Sequence, residues 1–138
     1  KYPAEDTYMA PAVQNPGVFG YMVVPDVAME KAGIAKKWFG RNGFHIDNDH
    51  SFAFTENVPG NVPGKIYKIE SVFPYSPRKL KKEMAGRGIK SINIIRRGFP
   101  VPAEKLAAEL GIKQGGDRFM AFVKTGGNSW AILAHRIE

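Results

Sequence analysis

Apolar and polar positions along this chain follow two different periods, and the period changes where proline and glycine interrupt it. Tyr21-Met22-Val23-Val24 is a short apolar run stopped by Pro25. Asp26 then stands where a helix N-cap belongs, its carboxylate able to accept from backbone N–H groups that have no partner inside a helix. The spacing predicts a helix over 27–39, with Val27, Ile34 and Trp38 on its apolar face, Lys31, Lys36 and Lys37 in solvent, and Gly40 as its stop. Two short strands, 44–46 and 52–55, follow around a polar turn of Asp47, Asn48 and Asp49. Ahead of all this, Pro3, Pro11 and Pro16 punctuate residues 1–19 without a sustained period, which reads as a linker or extended arm.

The segment Val58-Pro59-Gly60-Asn61-Val62-Pro63-Gly64 packs two prolines and two glycines into seven residues and marks the clearest boundary in the chain. It divides a small α+β unit, 20–63, from a second unit, 64–138. Residues 65–73 alternate, with Tyr67, Ile69 and Phe73 on one side and Lys68 and Glu70 on the other, the period of a half-buried strand. Ser76-Pro77 supplies an N-cap followed by proline at the first helical position, and the helix ends near Gly86 or Gly88. Residues 89–97 are strand-like, with Ile92 and Ile94 toward the core. Pro102 opens a further helix that turns Leu106 and Leu110 inward and closes at Gly111. A hairpin of 118–124 and 130–137 turns at Thr125-Gly126-Gly127-Asn128. The second unit is therefore β-α-β-α-β-β with helices on one face of a sheet, and the fold class is α+β.

With 43% hydrophobic residues in 138, the chain has enough apolar surface for a real core and is expected to fold. It contains no run of about 18 apolar residues and no basic-then-apolar secretory opening, so neither a membrane partner nor export is expected. The absence of cysteine excludes disulfides, thiolate metal sites and cysteine nucleophiles, and fits a reducing, cytoplasmic setting. A first residue that is Lys1, followed by a polar, proline-bearing opening, suggests a fragment of a longer chain.

Charge changes the picture more. Residues 1–64 hold 5 Lys/Arg against 7 Asp/Glu, whereas residues 65–138 hold 15 against 6, so the net +7 is concentrated in the second unit. Such asymmetry points to a localised polyanion contact. Residues 78–97 contribute Arg78, Lys79, Lys81, Lys82, Arg87, Lys90, Arg96 and Arg97 against Glu83 alone. At helical spacing Leu80 and Met84 mark the buried side, and Arg78, Lys79, Lys81 and Lys82 fan over the opposite face. Cations at this density suit phosphates, and they also serve as a solubilising helix face; both readings stand at this point. In Arg96-Arg97-Gly98-Phe99 the paired arginines can fork onto phosphate, while Phe99 fits either a base-stacking role or the edge of the core.

His45, Asp47, Asp49 and His50 invite a metal reading, but as a calcium loop begun at Asp47 the required glycine is Phe52 and the closing glutamate is Val58. As a zinc site the ligands come from one turn, with only His135 in reserve, so no metal is assigned. Gly115-Gly116 and Gly126-Gly127 are expected to be turns and match neither a P-loop nor a dinucleotide fingerprint. No catalytic constellation can be assembled around histidines at 45, 50 and 135.

The motifs taken in order resemble a family. Tyr21-Met22-Val23-Val24-Pro25-Asp26 and Lys31-Ala32-Gly33 are similar to the ferredoxin-like region behind the catalytic domain of a bacterial group of class I S-adenosylmethionine-dependent methyltransferases. Within that likeness Val24 replaces the family's glutamate before proline. His45, Asp49-His50-Ser51-Phe52 and Val62-Pro63-Gly64-Lys65 resemble that region's turn, strand and junction. Val72-Phe73-Pro74-Tyr75-Ser76, Arg87-Gly88-Ile89, Ile94-Ile95-Arg96-Arg97-Gly98 and Gly116-Asp117 resemble the THUMP-like domain that closes those chains. The resemblance implies a ferredoxin-like unit followed by a THUMP-like domain, with an S-adenosylmethionine-binding methyltransferase domain upstream in the same polypeptide. It implies no catalytic and no cofactor-binding residue in this chain, and RNA as the polyanion. Arg78, Lys79, Lys82, Arg87, Lys90, Arg96 and Arg97 are then the expected phosphate contacts. The alternative is an architectural module that packs on the methyltransferase domain or a partner without touching RNA.

Overall fold

The computed structural model describes residues 15–26, 28, 34–47, 52–97 and 99–137; the expected arm over residues 1–14, the helix start at Val27 with Lys31, and the turn residues Asn48, Asp49 and His50 lie outside them. The described residues open with a 3-10 turn, Pro16–Val18, where Asn15 Oδ1 accepts from Gly17 N at 2.8 Å. The elements that follow are β1 (Tyr21–Pro25), α1 (Ile34–Arg41), β2 (His45–Ile46), β3 (Ala53–Thr55) and β4 (Gly64–Pro74). After them come α2 (Pro77–Gly86), β5 (Ser91–Arg96), α3 (Ala103–Leu110), β6 (Lys113–Thr125) and β7 (Asn128–Arg136). From β4 onward the order is the expected β-α-β-α-β-β, and the fold is α+β. Among the described residues no helix is long and apolar enough to cross a membrane.

All seven strands belong to one sheet, in the order β2-β3-β1-β4-β7-β6-β5. Every pairing is antiparallel except that of β5 with β6. β1 runs along β4 from Tyr21↔Lys68 to Pro25↔Gly64, so the strand that opens residues 64–138 also carries the three strands of residues 20–63. Alternation along the strands sorts side chains to two faces. Toward the helices, Leu80 and Met84 of α2 and Leu106 and Leu110 of α3 pack on Ile92, Met120, Phe122, Ala131 and Leu133. Ala35 and Phe39 of α1 pack on Val23, Ala53 and Ile66. Ile66 shares the face of Lys68, which pairs with His135, two residues from Leu133, so α1 lies on the same side as α2 and α3. The opposite face gathers Met22, Phe52, Phe54, Tyr67, Ala121, Val123, Ile132 and Ala134. Covered on both sides, the centres of β6 and β7 read as continuous apolar runs.

Several local expectations change. Ile34 is 46% exposed and Trp38 only half-buried; α1 instead buries Ala35 and Phe39, because the Phe39 ring packs edge-on against Phe44 at 5.1 Å and fixes the helix rotation. The helix passes through Gly40, and Gly43, at φ +81°, turns the chain so that Phe44 N donates to Phe39 O at 2.8 Å. In β4 the register slips between Ile69 and Ser71, so Val72 joins Tyr67 and Ile69 on one face while Phe73 crosses to the helix side. A bulge of this kind resets the period of two that the sequence suggests. Gly115 and Gly116 do not form a turn ahead of a strand. They lie inside β6, where the register with β5 jumps from Ile92↔Gln114 to Asn93↔Phe119. Gly116, at φ +87°, passes so near Ser91 that a Cβ would stand 2.6 Å from Ser91 Oγ, and Asn93 Nδ2 holds the bulge by donating to Gly116 O at 2.7 Å. By contrast Gly126 and Gly127, both at positive φ, make the expected two-residue hairpin turn.

Ser76 occupies the N-cap position of α2, yet its side chain makes no capping bond; the helix start rests on Pro77 and on Leu80 N donating to Ser76 O at 2.8 Å. Ser76→Ala is therefore expected to change stability by less than about 0.5 kcal/mol, well below the loss of a working cap. Urea denaturation of the two proteins would show it, and a loss near 1 kcal/mol would restore the side-chain cap.

Candidate nucleic-acid interface

The cationic segment divides between the two ends of the sheet. Leu80 and Met84 anchor α2 to the core, leaving Arg78, Lys79, Lys81 and Lys82 exposed along its outer side. A row of strand partners, Phe73↔Ala131, Ala131↔Phe122 and Phe122↔Arg96, puts Arg96 level with the last turn of β4 before α2 begins. Arg78, Lys79, Arg96 and Arg97 thus stand at one end, where α2 starts and β5 stops. Arg87 and Lys90 stand at the other, because α2 must run back along the sheet, about 15 Å for its 10 residues, before β5 can begin.

At the first end the arginines are held by backbone. Arg96 Nη1 donates to Phe99 O at 2.9 Å, and Arg97 Nη1 donates to Pro25 O at 2.7 Å, across 72 positions of sequence. A guanidinium fixed this way loses less freedom when it meets a ligand. Between β5 and β1 lies a groove of about 450 Å³, lined on one wall by Asn93, Ile94, Ile95, Arg96 and Arg97 and on the other by Val24, Pro25, Asp26, Lys65 and Tyr67, with Phe119 between. Three cations therefore face it against one carboxylate. Burial raises the Tyr67 hydroxyl above its ordinary pKa, and Arg136 and Arg97 pull it only part of the way back, so it stays a protonated donor. Its ring meets Phe119 edge-on at 5.0 Å.

Arg87 follows α2 toward the far end, but its side chain reaches back: its Nε lies 3.4 Å from Glu83 Oε1 and its guanidinium sits over the Phe73 ring at 5.3 Å. Lys90 lines a second, polar groove of about 540 Å³ with Glu70, Ser91, Asp117, Arg118 and His135. There the Glu70 carboxylate reaches His135 Nδ1 at 3.0 Å and Arg118 Nε at 3.5 Å.

Phe99 takes the core alternative. It is buried against Tyr75 and Phe122, at ring distances of 5.3 Å and 5.5 Å, and offers no face to a base. Nearby, burial and then the Glu109 carboxylate, 3.3 Å from Tyr75 Oη, raise the Tyr75 hydroxyl. Asp47 is buried and accepts from Phe52 N at 2.8 Å, closing the turn between β2 and β3, while His45 packs on Phe19. Among the described residues no three His, Cys, Asp or Glu side chains come together as a metal site.

Lys65, Asp26, Tyr67, Asn93 and Phe119 are the groove residues that sequence reasoning missed. They arrive from four different strands and their flanks, and no local spacing links them. The only signal was the lone lysine that follows the Pro63-Gly64 pair.

This is a mixed α+β module of β-α-β-α-β-β type, built on a sheet whose one end is cationic. The chain belongs to the THUMP domain-like family, whose model matches residues 64–136, more than half of its length. The match begins at Gly64, the first residue of β4. No curated protein matches the sequence. The crystal structure of a candidate methyltransferase from Porphyromonas gingivalis W83 shares the fold, with a TM-score of 0.82 at 22% identity over 98% of this chain and 33% of that one. The likeness takes in both 20–63 and 64–138, and this chain spans a third of that protein's length.

Proposed function

We propose that this chain is a non-catalytic accessory region of a bacterial class I, S-adenosylmethionine-dependent methyltransferase. In this reading it binds RNA in the cytoplasm and presents it to a catalytic domain upstream in the same polypeptide. The observation that carries the reading is the convergence of Lys65, Arg96 and Arg97 on one groove, continued by Arg78 and Lys79 at the same end of the sheet. Membership of the THUMP domain-like family and the fold shared with a longer candidate methyltransferase support the assignment to such an enzyme. Lys82 extends the phosphate track along α2, and Arg87 and Lys90 supply a second contact at its far end.

Fluorescence anisotropy against tRNA and rRNA fragments tests this. Binding should weaken steeply with salt, as counterion release requires. Reversing Arg96 and Arg97 to glutamate should cost at least about tenfold in affinity and lower the salt slope by roughly 1.4, two phosphate contacts to a single strand. An unchanged affinity after that reversal, or no binding below about millimolar at low salt, would overturn the proposal. Circular dichroism of the variant separates lost contact from lost fold.

A further inference from the structure

The two edges of the sheet are unequal. β2, at one edge, is only two residues long, and shortness alone discourages a further strand. β5, at the other, is Ser91–Arg96, and among the described residues no strand pairs with its outer side. It is rich in isoleucine, with Ile92, Ile94 and Ile95, the composition of an edge that needs a partner or protection. Its backbone groups not used in the ladder with β6 point outward, and backbone polar groups seek partners.

That outer side has a built receptor. Residues 93–97 line the groove without a break, so the groove follows the strand edge for about 13 Å, the length of a four-residue extended segment. β1 and the start of β4 form the facing wall, and the Arg97 bond to Pro25 O bridges the two. Ile95 and Phe119, both half-buried, give its floor an apolar centre, and Lys65, Arg96 and Arg97 give its rim positive charge.

We infer that the open edge of β5 accepts a strand from a polypeptide partner, an extended segment with aspartate or glutamate on both sides of a β-branched or aromatic residue. Charge selects this occupant. Residues 90–97 carry Lys90, Arg96 and Arg97 and no acid. A second copy paired antiparallel would set Lys90 of one chain near the arginines of the other at both ends, and like charges across strands repel. An acidic segment meets opposite charge at the same places, and its central side chain reaches Ile95 and Phe119. Strand addition gains affinity from main-chain bonds and specificity from alternate side chains. The inference shares the cationic rim of Lys65, Arg96 and Arg97 with the RNA reading but is distinguished by its use of the main chain of β5, which phosphate contacts do not need.

The test uses the 138-residue chain and a fluorescein-labelled peptide, Asp-Glu-Val-Tyr-Val-Glu-Asp, followed by anisotropy. The peptide should bind at least about tenfold more tightly than its counterpart with lysine for every acid. Two further peptides carry N-methyl groups on alternate amides. One phase removes the donors to β5 and should lose at least about tenfold, while the other should bind like the parent, and the amide resonances of residues 93–97 should shift. Lys65→Glu, an exposed position, should weaken the acidic peptide and strengthen the lysine peptide with circular dichroism unchanged. Equal binding by both N-methylated peptides would reduce the effect to charge and overturn the proposal. So would no binding at millimolar peptide, or self-association through β5 in sedimentation. A uridine heptamer titrated separately reports on the RNA reading, so either idea can fail while the other stands.

Discussion

Replacing Phe54 with alanine is expected to lower the unfolding free energy by about 3–5 kcal/mol, and to do so for the whole chain at once. Phe54 lies in β3, within residues 20–63, and is fully buried. Its cluster includes Met22 of β1 and Tyr67 of β4, and also Ala121, Val123, Ile132 and Ala134 of β6 and β7. A cavity at Phe54 therefore removes contacts shared by both sides of the Pro/Gly boundary. The chain's two tryptophans fall one on each side, Trp38 on α1 and Trp130 on β7. Each is a separate probe once the other is changed to phenylalanine. In urea the two midpoints should coincide and move together when Phe54→Ala is added. A Trp38 midpoint that falls while that of Trp130 stays in place would mean two units that unfold independently.

Gly64→Ala is expected to cost about 1–3 kcal/mol, as overpacking does, although it adds a single methyl group. The added Cβ would overlap Val24 O and stand 2.9 Å from Pro25 Cα and 3.0 Å from Val23 Cγ1. The two nearest are backbone atoms of β1, bonded into the sheet through Pro25↔Gly64, so no side-chain rotation alone makes room. The strain falls on the stretch of β1 that carries Pro25 O, the acceptor for Arg97, so the cationic groove should loosen with it. Gly60→Ala is the control, because nothing lies within 4 Å of its added Cβ. Its effect should stay within about 0.5 kcal/mol. Equal losses for the two variants in urea would show that β1 and β4 do not approach this closely.

Those two glycines mark where sequence reading stops. Val58-Pro59-Gly60 and Val62-Pro63-Gly64 look alike along the chain, and both signal a break. Only the pairing of β1 with β4 makes one of them a packing requirement. The same holds for the bulges. An alternating pattern over 65–73 assigned β4 correctly as a strand but put Phe73 on the wrong face, because an extra residue at Glu70 is invisible to a period of two. In α1 the pattern gave a helix, while its rotation was decided by where the Phe39 and Phe44 rings could meet.

What the sequence determined by itself are the features carried by short-range chemistry. Leu80 and Met84 at helical spacing fix the inner side of α2. Leu106, Leu110 and a left-handed Gly111 delimit α3, and Gly126-Gly127 turn the hairpin. The excess of Lys and Arg in residues 65–138 marks the charged half. The tertiary structure decided how that charge is grouped. Because β5 runs parallel to β4 and α2 must return between them, Arg78, Lys79, Arg96 and Arg97 gather at one end of the sheet while Arg87 and Lys90 fall toward the other, with Lys81 and Lys82 along α2 between them. Because β1 pairs with β4 while β5, among the described residues, pairs only with β6, Arg97 meets Pro25 and Lys65 faces Arg96 across one groove. Those partners are far apart in sequence, and such pairings are set by the packing of the whole sheet and by no local propensity.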